Sequence, residues 1–160
     1  MQNIITDLEI ITINDVNDIL RLYSEADANR KAKIEKDVLK DIEDAKNGNR
    51  IIYGTKLNRE VIGTIQLIFK MEKNFYADGK TKAHLHHARV LEGLRDKGVG
   101  SYLVKIAEDE ASKHGFKEIT LGVEETNIEA IKLYEKLGYK EFTREKGDEG
   151  EEIIGMKKNL

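Results

Sequence analysis

Apolar positions along the chain follow alternating or three-to-four-residue spacing, and each change of spacing marks an element. Leu8–Ile13 reads as a strand. Asn14 or Asp15 is suited to cap a helix carrying Val16, Ile19, Leu20, Leu22 and Tyr23 on its buried side. Residues 24–33 are polar and read as a loop, after which Ile34, Val38, Leu39, Ile42 and Ala45 predict a helix ending at Asn47-Gly48. Arg50–Lys56 and Val61–Met71 flank Leu57-Asn58-Arg59-Glu60 and predict an antiparallel hairpin. A polar connection over Glu72–Lys82 contains Asp78-Gly79 and leads to an extended run, His84–Leu91.

A helix then opens at two glycines and spans residues 98–114. Val99, Tyr102, Leu103, Ile106, Ala107 and Ala111 form its apolar face, and Gly115 caps its end. Strand Glu118–Val123, helix Asn127–Leu137, and strands Tyr139–Arg144 and Glu151–Met156 complete the order, the last two joined by Glu145–Gly150. The fold class is therefore α/β or α+β, with a mixed central sheet of about seven strands and about four helices. The unit over residues 84–123 should be a right-handed parallel crossover. Ligands of such sheets lie beyond the carboxyl ends of parallel strands, where Arg95–Gly100 falls.

Length and composition narrow the classes. A chain of 160 residues suits one domain over 1–160, burying roughly 70% of its unfolded surface. No apolar run approaches the ~20 residues of a membrane span, and the N-terminus lacks a secretory pattern, so a soluble, cytoplasmic protein is expected. The absence of cysteine excludes disulfides, thiolate metal sites and a cysteine nucleophile. With 27 basic and 30 acidic residues the net charge is −3, which offers no global field for nucleic acid. There is no proline, so turns must rely on Gly, Asn and Asp.

The chemistry concentrates in Arg95-Asp96-Lys97-Gly98-Val99-Gly100. A helix start leaves backbone N–H groups without partners and carries partial positive charge, so it attracts phosphate. Glycines admit close approach of a bulky anion, and Arg95 offers forked donors. The spacing is wrong for a Walker loop, and the third glycine of a dinucleotide fingerprint is missing. A cradle for another phosphate-bearing ligand remains, as does a plain tight turn.

Arg95-x-x-Gly98-x-Gly100, after a strand ending Ala88-Arg89-Val90, resembles the acetyl-coenzyme A loop of the GNAT superfamily of N-acetyltransferases. Asn127, Ala130, Tyr134 and Gly138-Tyr139 fall where that family has its Asn, Ala, Tyr and Gly-Phe/Tyr pattern. The resemblance is close over residues 84–142 and architectural over residues 1–83. It implies a single-domain GNAT-like fold and acetyl-coenzyme A as cosubstrate. It further implies that the backbone of Ala88, Arg89 and Val90 pairs with the pantetheine arm. Arg95, Asp96, Lys97, Gly98, Val99, Gly100 and Ser101 would hold the pyrophosphate. Asn127 would reach the arm, although it is equally suited to a helix N-cap. Two departures bear on the strand-to-loop path: Glu92 stands where proline is frequent, and Arg89 where a small apolar residue is commoner.

By the same resemblance Tyr134, with Ala130 on its helix face, donates a proton to the departing thiolate. Tyrosine titrates near ~10 and a thiol near ~8.5, so complete transfer is uphill by about 2 kcal/mol; Tyr134 would act as a hydrogen-bond donor whose proton moves as charge builds on sulfur. The amine needs the opposite help, because a lysine-like ammonium is neutral about once in ~10³ molecules at pH 7. Two-residue alternation puts His84, His86, Ala88 and Val90 on one strand face. The family often places a Glu base at the position of His84, and a histidine is suitably poised. His86 and Glu124 stand behind it, and a solvated strand edge is the competing reading. No metal is expected, since no carboxylate or fourth ligand accompanies the histidines.

These readings converge on transfer of an acetyl group to a primary amine of a small molecule or peptide by direct attack, with N–H groups near Val90 available to an oxyanion. Neither nucleic acid nor membrane is an expected partner, and dimers are common in the family. A non-catalytic acyl-coenzyme A sensor and a plain nucleotide-binding domain are the alternatives. The acidic stretch Glu145–Glu152 reads either as a soluble turn or, where the last hairpin borders the acceptor, as a preference for cationic amines.

Overall fold

The computed structural model describes residues 3–160. Among them are seven strands and four α-helices: β1 (Glu9–Thr12), α1 (Val16–Leu20), α2 (Ala28–Lys46), β2 (Arg50–Leu57), β3 (Glu60–Ile68), β4 (Lys82–Val90), α3 (Val99–Lys113), β5 (Glu118–Glu124), α4 (Ile128–Lys136), β6 (Lys140–Lys146) and β7 (Glu152–Asn159). The sheet order is β1-β2-β3-β4-β5-β7-β6. The sheet is mixed: β4 and β5 run parallel, whereas β1–β2, β5–β7 and β6–β7 are antiparallel. The predicted order of elements is the observed one.

The described residues cluster into two compact units. The first comprises residues up to Leu67 together with His87–Ala107. Its core gathers Ile13, Ile19, Leu22, Val38, Ile42, Ile52 and Val61, with Val16, Tyr23 and Leu91 packed against them. Asn58 and Arg59 both take positive φ in the two-residue link between β2 and β3, the left-handed pair that matches strand twist in a tight hairpin. The second unit comprises Ile68–His86 and Glu108–Leu160. Ile119, Leu121, Tyr139 and Met156 are among its most deeply buried residues.

Two expectations need correction. The polar stretch 24–33 is not all loop, because α2 begins at Ala28. Asp27 caps it, its side chain accepting the Arg30 N–H at 2.8 Å. The first turns of α2 are largely exposed, so no apolar periodicity announced them. The first helix is also shorter than predicted, since α1 stops at Leu20 and Arg21–Tyr23 form a 3-10 turn.

Candidate active site

In the first unit, the path from β4 to α3 sets the geometry. The parallel register of β4 with β5 runs from Lys82↔Glu118 to Leu85↔Leu121. Two residues on, His87 adopts φ 50, a left-handed conformation that costs a non-glycine residue energy. That conformation departs from the extended backbone on which two-residue alternation depends, between His84 and His86 on one side and Ala88 and Val90 on the other. Ala88 is exposed, and Arg89 and Val90 are half-buried.

The side chain of Arg89 is committed within the same unit. Its guanidinium lies 4.0 Å from the Tyr23 ring centroid, its Nε donates to the Leu22 carbonyl at 3.2 Å, and it pairs with Glu25. Arginine therefore stands here because it fastens the segment after α1. Arg95 turns back on the strand, with its Nε donating to the Val90 carbonyl at 3.1 Å. The Leu91 N–H is taken by the Ile62 carbonyl at 2.8 Å.

Asp96 and Gly98 both have positive φ, 62° and 84°, which turns the chain sharply into α3. Tyr102 N–H donates to the Gly98 carbonyl at 3.0 Å. The N–H groups of Val99, Gly100 and Ser101 precede that bond and have no carbonyl one turn back within the helix. Val99 itself is 1% exposed, so it contributes its amide to this end and its side chain to the core. Gly100 is telling. Its φ is not positive, and a Cβ placed there would meet nothing within 4 Å among the described residues. Among the described residues neither backbone conformation nor packing calls for glycine at Gly100, although alanine would favour the helix.

The second unit holds the proton-handling candidates. His84 is buried, and its Nδ1 lies 2.8 Å from the hydroxyl of Thr120, its register partner on β5. The Thr120 hydroxyl donates to the Tyr76 carbonyl at 2.6 Å. The rings of Tyr76 and His86 lie 4.7 and 5.8 Å from that of His84, centroid to centroid. Sequence reasoning missed Thr120 and Tyr76. A polar residue between apolar neighbours of β5 was the available signal, but pairing it with His84 requires the register.

Asn127 caps α4, its Oδ1 accepting the Ala130 N–H at 3.2 Å, as the structural reading of that residue expects. Tyr134 is half-buried, and burial raises its pKa above the ordinary tyrosine value. It therefore stays protonated and able to donate through neutral and mildly alkaline pH. Glu124 is exposed at the end of β5, and its carbonyl accepts the Asn127 N–H.

Two carboxylates of the acidic hairpin are paired with lysines. Glu145 pairs with Lys73 at 2.9 Å and Glu152 with Lys146 at 2.9 Å. Glu151 accepts the Glu149 N–H at 2.9 Å. Among the described residues no group of three or more His, Cys, Asp or Glu is arranged to hold a metal ion, and no helix is long and apolar enough to cross a membrane.

The chain is 34% identical over 98 residues to the uncharacterized N-acetyltransferase YhfO of Bacillus subtilis (strain 168), a match covering 61% of this chain. The chain spans about 63% of the length of that curated relative. Among solved structures, PH1933 from Pyrococcus horikoshii OT3 superposes with a TM-score of 0.76 at 20% identity, covering 96% of this chain and 98% of that one. The PaiA N-acetyltransferase from Thermoplasma acidophilum, in complex with coenzyme A, superposes with a TM-score of 0.68 at 20% identity, covering 96% and 99%. Those likenesses establish the fold. The family model for GNAT acetyltransferases matches residues 13–139, and the chain belongs to that family.

Proposed function

We propose that the chain transfers the acetyl group of acetyl-coenzyme A to a primary amine by direct attack within a ternary complex. The observation that carries this reading is the first turn of α3, where helix-start N–H groups accompany a glycine whose Cβ position is open. Acetyl-coenzyme A supplies an activated thioester. The amides of residues 98–101 hold its diphosphate, with Lys97 adding charge that an acidic chain otherwise lacks. The extended backbone of Ala88–Val90 pairs with the pantetheine arm, and Asn127 directs its amide donors to the same arm.

His84 takes the proton of the acceptor ammonium, directly or through water, and Tyr134 donates a hydrogen bond to the sulfur as negative charge collects there. The chain has no cysteine to carry an acyl intermediate, which supports direct attack. The coenzyme A complex of the PaiA relative supports the choice of cosubstrate.

Thermal-shift titration with acetyl-coenzyme A, followed by thiol release across a panel of small and peptide amines, tests the reading. Stabilisation by acetyl-coenzyme A together with amine-dependent thiol release is expected. Binding without turnover on any amine would favour the acyl-coenzyme A sensor. Tight ATP or NAD binding with none of coenzyme A would overturn both.

A further inference from the structure

The Thr120 hydroxyl has one hydrogen to give. It sits 2.6 Å from the Tyr76 carbonyl, which can only accept, and 2.8 Å from His84 Nδ1. Two acceptor oxygens at 2.6 Å would repel, whereas that separation is ordinary for O–H···O. The hydrogen therefore belongs to the bond with Tyr76, and towards His84 the Thr120 oxygen can only accept. Nδ1 of His84 must then carry a hydrogen, and in the neutral ring the lone pair falls on Nε2.

All three residues of the arrangement are buried. His84, Thr120 and Tyr76 are 4%, 0% and 3% exposed, so water is a poor substitute for any of the three partners. Gly122 and Gly155 leave room for the Tyr76 hydroxyl, whose oxygen would lie 3.8 and 3.1 Å from a Cβ at those positions. Parallel pairing sets His84 and Thr120 opposite each other across the ladder.

We propose that Thr120 is a positioning residue that, with its hydrogen committed to the Tyr76 carbonyl, fixes His84 as the Nδ1–H tautomer and so makes Nε2 the atom that accepts a proton. The consequence for catalysis rests on the reading of His84 as the base. The same Nδ1–H···Oγ1 bond serves the neutral ring and the imidazolium, so proton uptake at Nε2 leaves the bond to Thr120 in place. An Nε2–H ring would instead need Thr120 to donate to Nδ1, and would leave the buried Tyr76 carbonyl without that hydrogen.

The test reads tautomer and turnover separately on the full chain. Long-range 1H–15N spectra of 15N-histidine-labelled protein, assigned with His84→Gln, should show His84 as Nδ1–H. Thr120→Val should shift the population towards Nε2–H and lower kcat by about tenfold or more, leaving KM for acetyl-coenzyme A unchanged. Thr120→Ser retains the hydroxyl and should restore both readouts. A wild-type ring found as Nε2–H, or a tautomer unchanged in Thr120→Val, overturns the proposal. Should the valine variant not fold, the wild-type and serine spectra decide it alone. Full turnover in His84→Gln alongside the expected tautomers would remove His84 as base, while leaving the assignment of Thr120 intact.

Discussion

The Tyr139 N–H donates to the Tyr134 carbonyl at 2.9 Å, and their rings meet edge-on with centroids 5.9 Å apart and planes at 73°. Gly138 between α4 and Tyr139 has φ 99, closing the helix in the left-handed region. Tyr139 is 1% exposed, and its hydroxyl donates to Glu108 at 3.4 Å. The Gly138-Tyr139 pair thus stops the helix and anchors it, which orients Tyr134 one turn earlier. Tyr134→Phe keeps the ring and removes only the hydroxyl. It should preserve thermal stability and acetyl-coenzyme A binding while lowering kcat by about 10² or more. Equal loss of binding and turnover would count against the role proposed for it at the sulfur.

The two glycines at the start of α3 should respond in opposite ways. Gly98→Ala places a side chain at φ 84 and should destabilise the fold by about 1–2 kcal/mol. Gly100→Ala meets no neighbour among the described residues and should be neutral or stabilising by up to about 1 kcal/mol in urea denaturation. Its Cβ would intrude on the anion in the proposed cradle, so calorimetry should show acetyl-coenzyme A affinity reduced by about tenfold or more. A stabilised Gly100→Ala variant that binds undiminished would remove the main support for the cradle.

Arg89 separates a side-chain role from a backbone role. Arg89→Ala forfeits the contact with the Tyr23 ring, the bond to the Leu22 carbonyl and the pair with Glu25. A loss of about 1–2 kcal/mol is expected in urea denaturation, and Arg89→Lys should recover little, because lysine lacks the planar fork. Binding of acetyl-coenzyme A to the folded variant should change little, since the proposed contact there is with the main chain.

Asp78 gives a pH dependence with a definite sign. Desolvation acts to raise its pKa, but hydrogen bonds from the Thr81 hydroxyl and the N–H groups of Lys82, Lys80 and Thr81 together outweigh it and hold the carboxyl well below the usual range. A depressed native pKa stabilises the fold above the unfolded value of about 3.9, and the benefit disappears as pH falls through the native value. Asp78→Asn should therefore lower the Tm at pH 7, with the gap to wild type narrowing progressively below about pH 4. A gap independent of pH would assign the effect to turn geometry instead of charge.

Local pattern alone determined most of the elements. The spacing of Val99, Leu103 and Ala107 and the stop at Gly115 placed α3 within a residue or so of its observed limits, because an amphipathic helix must show its period in sequence. The start of α2 was not legible, since its exposed first turns carry no apolar period and depend on the single cap at Asp27. The proposed helix-start cradle was visible as a motif, but only the coordinates distinguish Gly98, which a left-handed turn requires, from Gly100, which nothing among the described residues requires. The pairing of His84 with Thr120 was decided by tertiary structure, because hydrogen-bond direction between residues 36 apart depends on strand register. Sequence carries the period of each element. The register between elements, and with it the position of each buried proton, comes from packing.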